Sequence, residues 1–200
     1  MPESRKPQHR IDPRTPLVLD TRELGRRPGS MRTVQRTAPA PEGLGVALIG
    51  VPPGGGIELD LRLESVMEGV LVSGTARAPL TGECGRCLDA VEDEIVVDVQ
   101  ELFVYDGSDA DDDGTARMEG DLLDLEPVLR DAVVLALPLT PLCTPDCGGL
   151  CADCGDRLDD LPPDHAHGAP DPRWAALQDL LDSPTGTTAP PQTGTTEIQE

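Results

Sequence analysis

Aromatic side chains are nearly missing from this chain: its 200 residues include one Trp, one Tyr and one Phe (Trp174, Tyr105 and Phe103). A core without aromatic bulk has to be built from Leu, Val, Ile and Ala, and a small aliphatic core leaves room for a further stabilising element. The same scarcity argues against a binder of single-stranded RNA, because such proteins stack bases on exposed rings. Long apolar runs are absent too. Nothing approaches the roughly 18–20 residues of a membrane span, and the opening MPESRKPQHR has no apolar stretch behind its charges, so a soluble, cytoplasmic protein with no membrane partner is expected. Histidine is scarce, with three in the chain, and HExxH, GxSxG, P-loop and glycine-rich dinucleotide motifs are all lacking. These absences leave no constellation for catalysis, and neither an enzyme nor a small-molecule substrate is expected.

Charge is abundant but uneven. The net charge is −21, yet residues 1–40 hold nine basic side chains against four acidic ones, which suggests a basic arm on an acidic body. An acidic body repels nucleic acid, whose affinity comes from neutralising phosphates, and attracts basic proteins. Any direct RNA contact is therefore expected from the arginines between positions 5 and 36.

The length fits one domain with tails. Residues 1–15 read as a disordered basic arm and residues 183–200 as a disordered tail of low complexity. Between them, residues 16–105 read as β-rich. PLVLD from Pro16 and MRTVQRT from Met31 are short extended segments, and VALI at 46–49 lies between Pro- and Gly-rich turns. In IELDLRLESV, Ile57, Leu59, Leu61 and Leu63 alternate with charged residues, the period of two that gives a strand one buried and one wetted face. A hairpin partner follows from Val70. A third strand follows from Val91, with a phase slip between Val99 and Leu102 that a β-bulge would explain. Residues 106–120 read as an acidic loop. Residues 121–138 change to helical spacing, with Asp124 as N-cap, Pro127 in the first turn and Pro138 as terminator. A second helix is expected over 171–182, opened by Asp171 and Pro172. The fold class expected is α+β: a mostly antiparallel sheet or partly closed barrel, followed by a helix, a zinc-binding cysteine loop over 143–167 and a C-terminal helix.

What is present in quantity is cysteine in pairs. Cys84-x2-Cys87 sits in the turn between two expected strands, and Cys143, Cys147, Cys151 and Cys154 fall within twelve residues, followed by His165 and His167. In a reducing compartment closely spaced thiols favour metal over disulfides. Zinc takes four N or S ligands in a tetrahedron, and a C-x2-C turn offers two thiolates to one ion. The eight residues suffice for one or two structural Zn2+ ions. Three divisions are open. Cys84, Cys87, Cys143 and Cys147 can form one site with Cys151, Cys154, His165 and His167 as a second; the four clustered cysteines can form a single site; or the two C-x2-C pairs can combine. In each the ligand positions are filled by protein, the mark of a structural rather than a catalytic ion. A redox-sensitive zinc-thiolate regulator of protein interactions is the alternative reading.

The hairpin-tip ECGRCL, the stretch GDLLDLEPVLRDAVVLALPLTPLC, the cluster CTPDCGGLCADCGDRLD and the closing DPRWAAL together resemble the YceD family, also called domain of unknown function 177, over Pro16 to Asp182. The resemblance implies a non-enzymatic ribosome biogenesis role, supporting 23S rRNA accumulation and large-subunit assembly. It implies as partners the large-subunit precursor, its rRNA, or basic ribosomal proteins. Many relatives carry Cys-x-Cys where this chain has His165-Ala166-His167, which implies that the two histidines are ligands.

Overall fold

The structure is a computed structural model that describes residues 11–106, residues 116–167 and Arg173. Its centre is a long hairpin. Strands β4 (Gly56–Ser65), β5 (Gly69–Glu83) and β6 (Ala90–Val104) run antiparallel, with β5 between the other two. β2 (Met31–Pro39) extends the sheet beyond β4, and β3 (Ile49–Gly50) pairs with the far end of β5, where β4 has already left it. Pro79, which cannot donate to a ladder, falls between those two stretches of β5. Gly74 marks a close approach of β5 to β4: at φ +149° a Cβ there would lie 2.1 Å from the Asp60 carbonyl oxygen. A second, two-stranded sheet joins β1 (Val18–Asp20) to β7 (Leu122–Asp124).

The alternation read from β4 holds residue by residue, with Ile57, Leu59, Leu61 and Leu63 all buried. They meet Val70, Val72, Ala76 and Leu80 of β5 and Ile95, Val97, Val99 and Phe103 of β6 in one core. Helix α1 (Glu126–Ala136) crosses this face, setting Leu125 and Leu129 over Leu59, Leu61 and Val99. Leu125, Leu129, Val133 and Leu137 are spaced four apart and all buried, the stripe a helix needs to dock on a sheet. Arg130 ties the helix down by donating to the carbonyls of Gly43 (2.6 Å) and Glu42 (3.1 Å) while pairing with Glu126 at 2.9 Å.

Several expectations need correction. The sheet does not close into a barrel: β1–β7 and the five-stranded sheet stay separate, and between their facing edges Arg36 donates to the carbonyls of Pro16 and Val18. β6 contains no bulge, since its register with β5 is unbroken from Gly69↔Val104 to Glu83↔Ala90. The apparent slip arises because both faces are covered at that end. Phe103 continues the core face, while Val104 is buried where Ala116–Met118 returns alongside it. The helix begins later than residue 121, because Leu122–Asp124 are taken by β7; Leu125 is its N-cap, and the Asp124 carboxylate accepts from the Glu126 N–H at 3.0 Å. The chain is also tied in before residue 15, with the Ile11 N–H donating to the Glu119 carboxylate at 2.8 Å. Among the described residues α1 is the one α-helix; apart from Arg173, the helix expected over 171–182 lies outside them, as does the tail.

Candidate metal centres

The β5–β6 turn is short, so Cys84 and Cys87 are presented together at the tip of the hairpin. The chain leaving α1 is brought to the same place after Pro138, where the Gly85 N–H donates to the Pro141 carbonyl at 2.8 Å. Cys143 and Cys147 follow directly. The Sγ atoms of Cys84 and Cys147 lie 3.8 Å apart, and those of Cys87 and Cys143 3.5 Å apart. A tetrahedral ion with Zn–S bonds of about 2.3 Å has S···S edges of about 3.8 Å, whereas a disulfide needs about 2.05 Å. All six cysteines are free thiols. Cys84, Cys87 and Cys147 are buried, Cys143 is half-buried, and Val91, Leu142 and Leu150 pack around them, with Val91 also touching the sheet core.

A second cluster follows along the same segment. Cys151, Cys154, His165 and His167 bring their ligand atoms within 4.8 Å of one another, as do the four cysteines of the first group. Cys154 Sγ lies 3.7 Å from His165 Nε2, which is 2.7 Å from His167 Nε2. Of the three divisions open in the sequence, the structure brings together the first, two groups of four. It keeps the two C-x2-C pairs in different groups.

The two C-x2-C loops are copies of one backbone design. In the first, the Cys84 N–H donates to the Asp89 carbonyl (2.7 Å) and the Leu88 N–H to the Cys84 carbonyl (3.0 Å); in the second, the Cys151 N–H donates to Asp156 (2.7 Å) and the Gly155 N–H to Cys151 (2.9 Å). The residue after the second cysteine takes a left-handed conformation in both, Gly155 at φ +78° and Leu88 at φ +63°. Glycine does this freely, whereas leucine accepts strain to keep the loop closed. The shared Cys-x2-Cys-x-Asp spacing is the sequence signal for this design, and it was available without the structure.

Electrostatics also favours a cation. Burial opposes ionisation of Cys84, but the backbone amides of Cys87, Arg86 and Cys143 outweigh it and bring that thiol down to about 6. The Asp89 amide favours the Cys87 thiolate, yet burial and the neighbouring sulfurs of Cys143, Cys84 and Cys147 push it up to about 12. Burial, then Cys143 and Cys84, raise Cys147. One thiolate thus forms easily and its neighbours resist, as like charges sharing a site must. In the second group the amides of Cys154 and Asp153, with His165, hold Cys151 at about 6, while burial, Cys151 and Asp156 raise Cys154 against the pull of the Asp156 amide. A divalent ion would relieve both conflicts by displacing the protons.

Sequence reasoning passed over the arginines that brace this region. Arg86 donates to the Cys147 carbonyl at 2.8 Å. Arg157 pairs with Asp89 at the hairpin tip and lies 3.6 Å from Asp160, and its pKa is raised first by Asp89 and then by Cys87. Gly149, at φ +84°, lets the chain pass where a Cβ would sit 3.3 Å from the Arg86 carbonyl oxygen.

The sequence profile of the family described as "Large ribosomal RNA subunit accumulation protein YceD" matches residues 72–181, which includes the hairpin tip and both clusters. The chain belongs to the YceD family. It is 45% identical over 171 residues to an uncharacterized protein of Mycobacterium tuberculosis (strain H37Rv), covering 84% of this chain and 82% of that protein. An uncharacterized protein of Mycobacterium leprae is 43% identical over 84% of this chain and 78% of its own length. The uncharacterized protein YlbN of Bacillus subtilis is more distant, at 26% identity over 61% of this chain and 70% of the other. No solved structure matches the chain. The family name carries a role in accumulation of large-subunit ribosomal RNA. No helix among the described residues is long and apolar enough to cross a membrane.

Proposed function

We propose that this protein is a non-enzymatic factor of large-subunit biogenesis, acting in the cytoplasm to support 23S rRNA accumulation, with Zn2+ as a structural element. Membership of the YceD family is the observation that carries the reading. The two groups of four ligands support the zinc part, because every tetrahedral position would be filled by a cysteine or histidine, leaving none for substrate or water. In the first group the ion would join the hairpin tip to the segment leaving α1. In the second it would close a surface loop. The product is a stiff, acidic body suited to meeting basic proteins of the large-subunit precursor.

The basic residues near the start need a different account from that of a free arm. Arg22 pairs with Asp20 at 2.8 Å and Arg32 with Glu23 at 3.1 Å, and Arg26 lies over the Tyr105 ring at 4.8 Å. Arg36 is committed to the β1 carbonyls. Removing residues 1–36 would take away β1 and part of β2, so contact with RNA is better tested by the pair Arg14→Glu and Arg27→Glu. The functional reading itself is tested by depletion: 23S rRNA and free large subunits should fall while 16S rRNA holds. Unchanged 23S rRNA on full depletion contradicts it.

A further inference from the structure

We infer that the two clusters differ in kind: Cys151, Cys154, His165 and His167 form an exchangeable zinc site at the surface, while Cys84, Cys87, Cys143 and Cys147 form a site that retains its ion. The inference rests on the zinc reading above and assigns each site its own behaviour. Metal exchange requires an incoming ligand to reach the ion and one protein ligand to swing away. Both steps are open at the second cluster. Cys154 and His167 are exposed, and Cys151 and His165 are half-buried. All four ligands come from residues 151–167 of one continuous segment, so a ligand can leave without moving a strand or α1.

At the first cluster both steps are blocked. Three of the four sulfurs are buried under Val91, Leu142 and Leu150. Its ligands come from two stretches of chain more than fifty residues apart, joined by the Gly85–Pro141 and Arg86–Cys147 hydrogen bonds. For Cys84, Cys87 or Cys147 to leave, the apolar cover must open, and the half-buried Cys143 is held beside them by those hydrogen bonds on either side of it. The bonds that orient the ligands also matter, since losing such partners lowers metal affinity roughly 10- to 100-fold.

The segment between the clusters is arranged so that the second can open alone. The Leu158 N–H donates to the Gly149 carbonyl at 2.9 Å, the Asp159 carboxylate accepts from the Gly148 N–H at 3.1 Å, and Arg157 pairs with Asp89 on the hairpin tip. These contacts pin residues 157–159 to the first cluster's side and involve none of the four outer ligands. Release of that ion would free Cys151–Gly155 and the two histidines and leave the hairpin tip unchanged. Zinc supply would thereby set the order of one face of the protein, on a body whose fold does not depend on it.

The test uses the full chain loaded with Zn2+ and mixed with excess 4-(2-pyridylazo)resorcinol, whose colour reports released ion. Release should be biphasic, one equivalent leaving at least about tenfold faster than the other. The His165→Ala/His167→Ala variant should lose the fast equivalent and keep the slow one. After the first equivalent leaves, amide exchange should quicken across residues 151–155 and 165–167 but not across 84–87. With Co2+ in place of Zn2+, the retained ion should show the absorption of a tetrathiolate centre and the released ion that of a mixed Cys and His centre. Two equivalents leaving in one phase, or a fast phase that survives the histidine substitutions, overturns the inference while leaving structural zinc intact. A chain that binds no zinc overturns both.

Discussion

Replacing Cys147 by Ser probes the first cluster at a buried ligand, since Cys147 is 1% exposed and its sulfur lies 3.8 Å from that of Cys84. The substitution removes one thiolate and changes the volume little. Besides the Gly85–Pro141 and Arg86–Cys147 hydrogen bonds, worth about 1 kcal/mol each, two forces order the segment from Pro141 to Leu150 against the hairpin. One is the packing of Leu142 and Leu150, worth at most about 3 kcal/mol each even if fully buried, and both are only partly buried. The other is the proposed ion, since structural zinc in small peptides is worth roughly 10–16 kcal/mol at neutral pH. The metal term dominates, so its loss should detach the segment rather than loosen it slightly. The sheet core should survive, because its buried residues form a separate cluster that does not include the cysteines. Cys147→Ser should therefore lose the slowly released zinc equivalent, and hydrogen exchange should rise across 84–89 and 141–150 while β4 and the middle of β5 keep their protection. A variant that still binds the slow equivalent with unchanged protection at the hairpin tip would refute the reasoning.

Three further outcomes follow from other parts of the structure. Leu88 sits at φ +63° and is exposed, so Leu88→Gly should relieve about 1 kcal/mol of strain and raise the thermal midpoint by a few degrees, measured by circular dichroism; a lower midpoint would mean that the side chain is held by contacts. Gly74→Ala should cost about 3 kcal/mol or more in a urea titration, because its Cβ would lie 2.1 Å from the Asp60 carbonyl oxygen, and a loss under 1 kcal/mol would contradict that close approach. In metal-free protein, Cys151 combines partial exposure with a pKa of about 6, so its thiolate predominates above that pH and is lost below it; at pH 7 it should react with iodoacetamide before Cys154, whose pKa is raised, and zinc should suppress both reactions.

The parts of the fold legible in the sequence are those where a single face is buried. β4 reads correctly because each apolar residue from Ile57 to Leu63 faces one core and each charged neighbour faces water. The reading fails where a strand is covered on both sides, as at Phe103 and Val104, since period-two reasoning then sees a slip where the register is continuous. It fails again at Leu122–Asp124, three residues whose pairing with β1 is decided by a partner about a hundred positions away. Local propensity could not choose between that strand and the first turn of α1. The eight candidate ligands were all visible, but their division was not. Cys84 and Cys87 meet Cys143 and Cys147 only because the hairpin tip and the chain after Pro138 converge, a tertiary fact that spacing alone does not carry.

Metal content is the most direct test of the account. The full chain, purified under reducing conditions without chelators, should contain two zinc ions per chain by elemental analysis. Substitution of Cys84 or of His165 should each remove one. A chain that is folded by circular dichroism and contains no bound metal would contradict the claim that thiolates and histidines from this hairpin and loop are held together by ions.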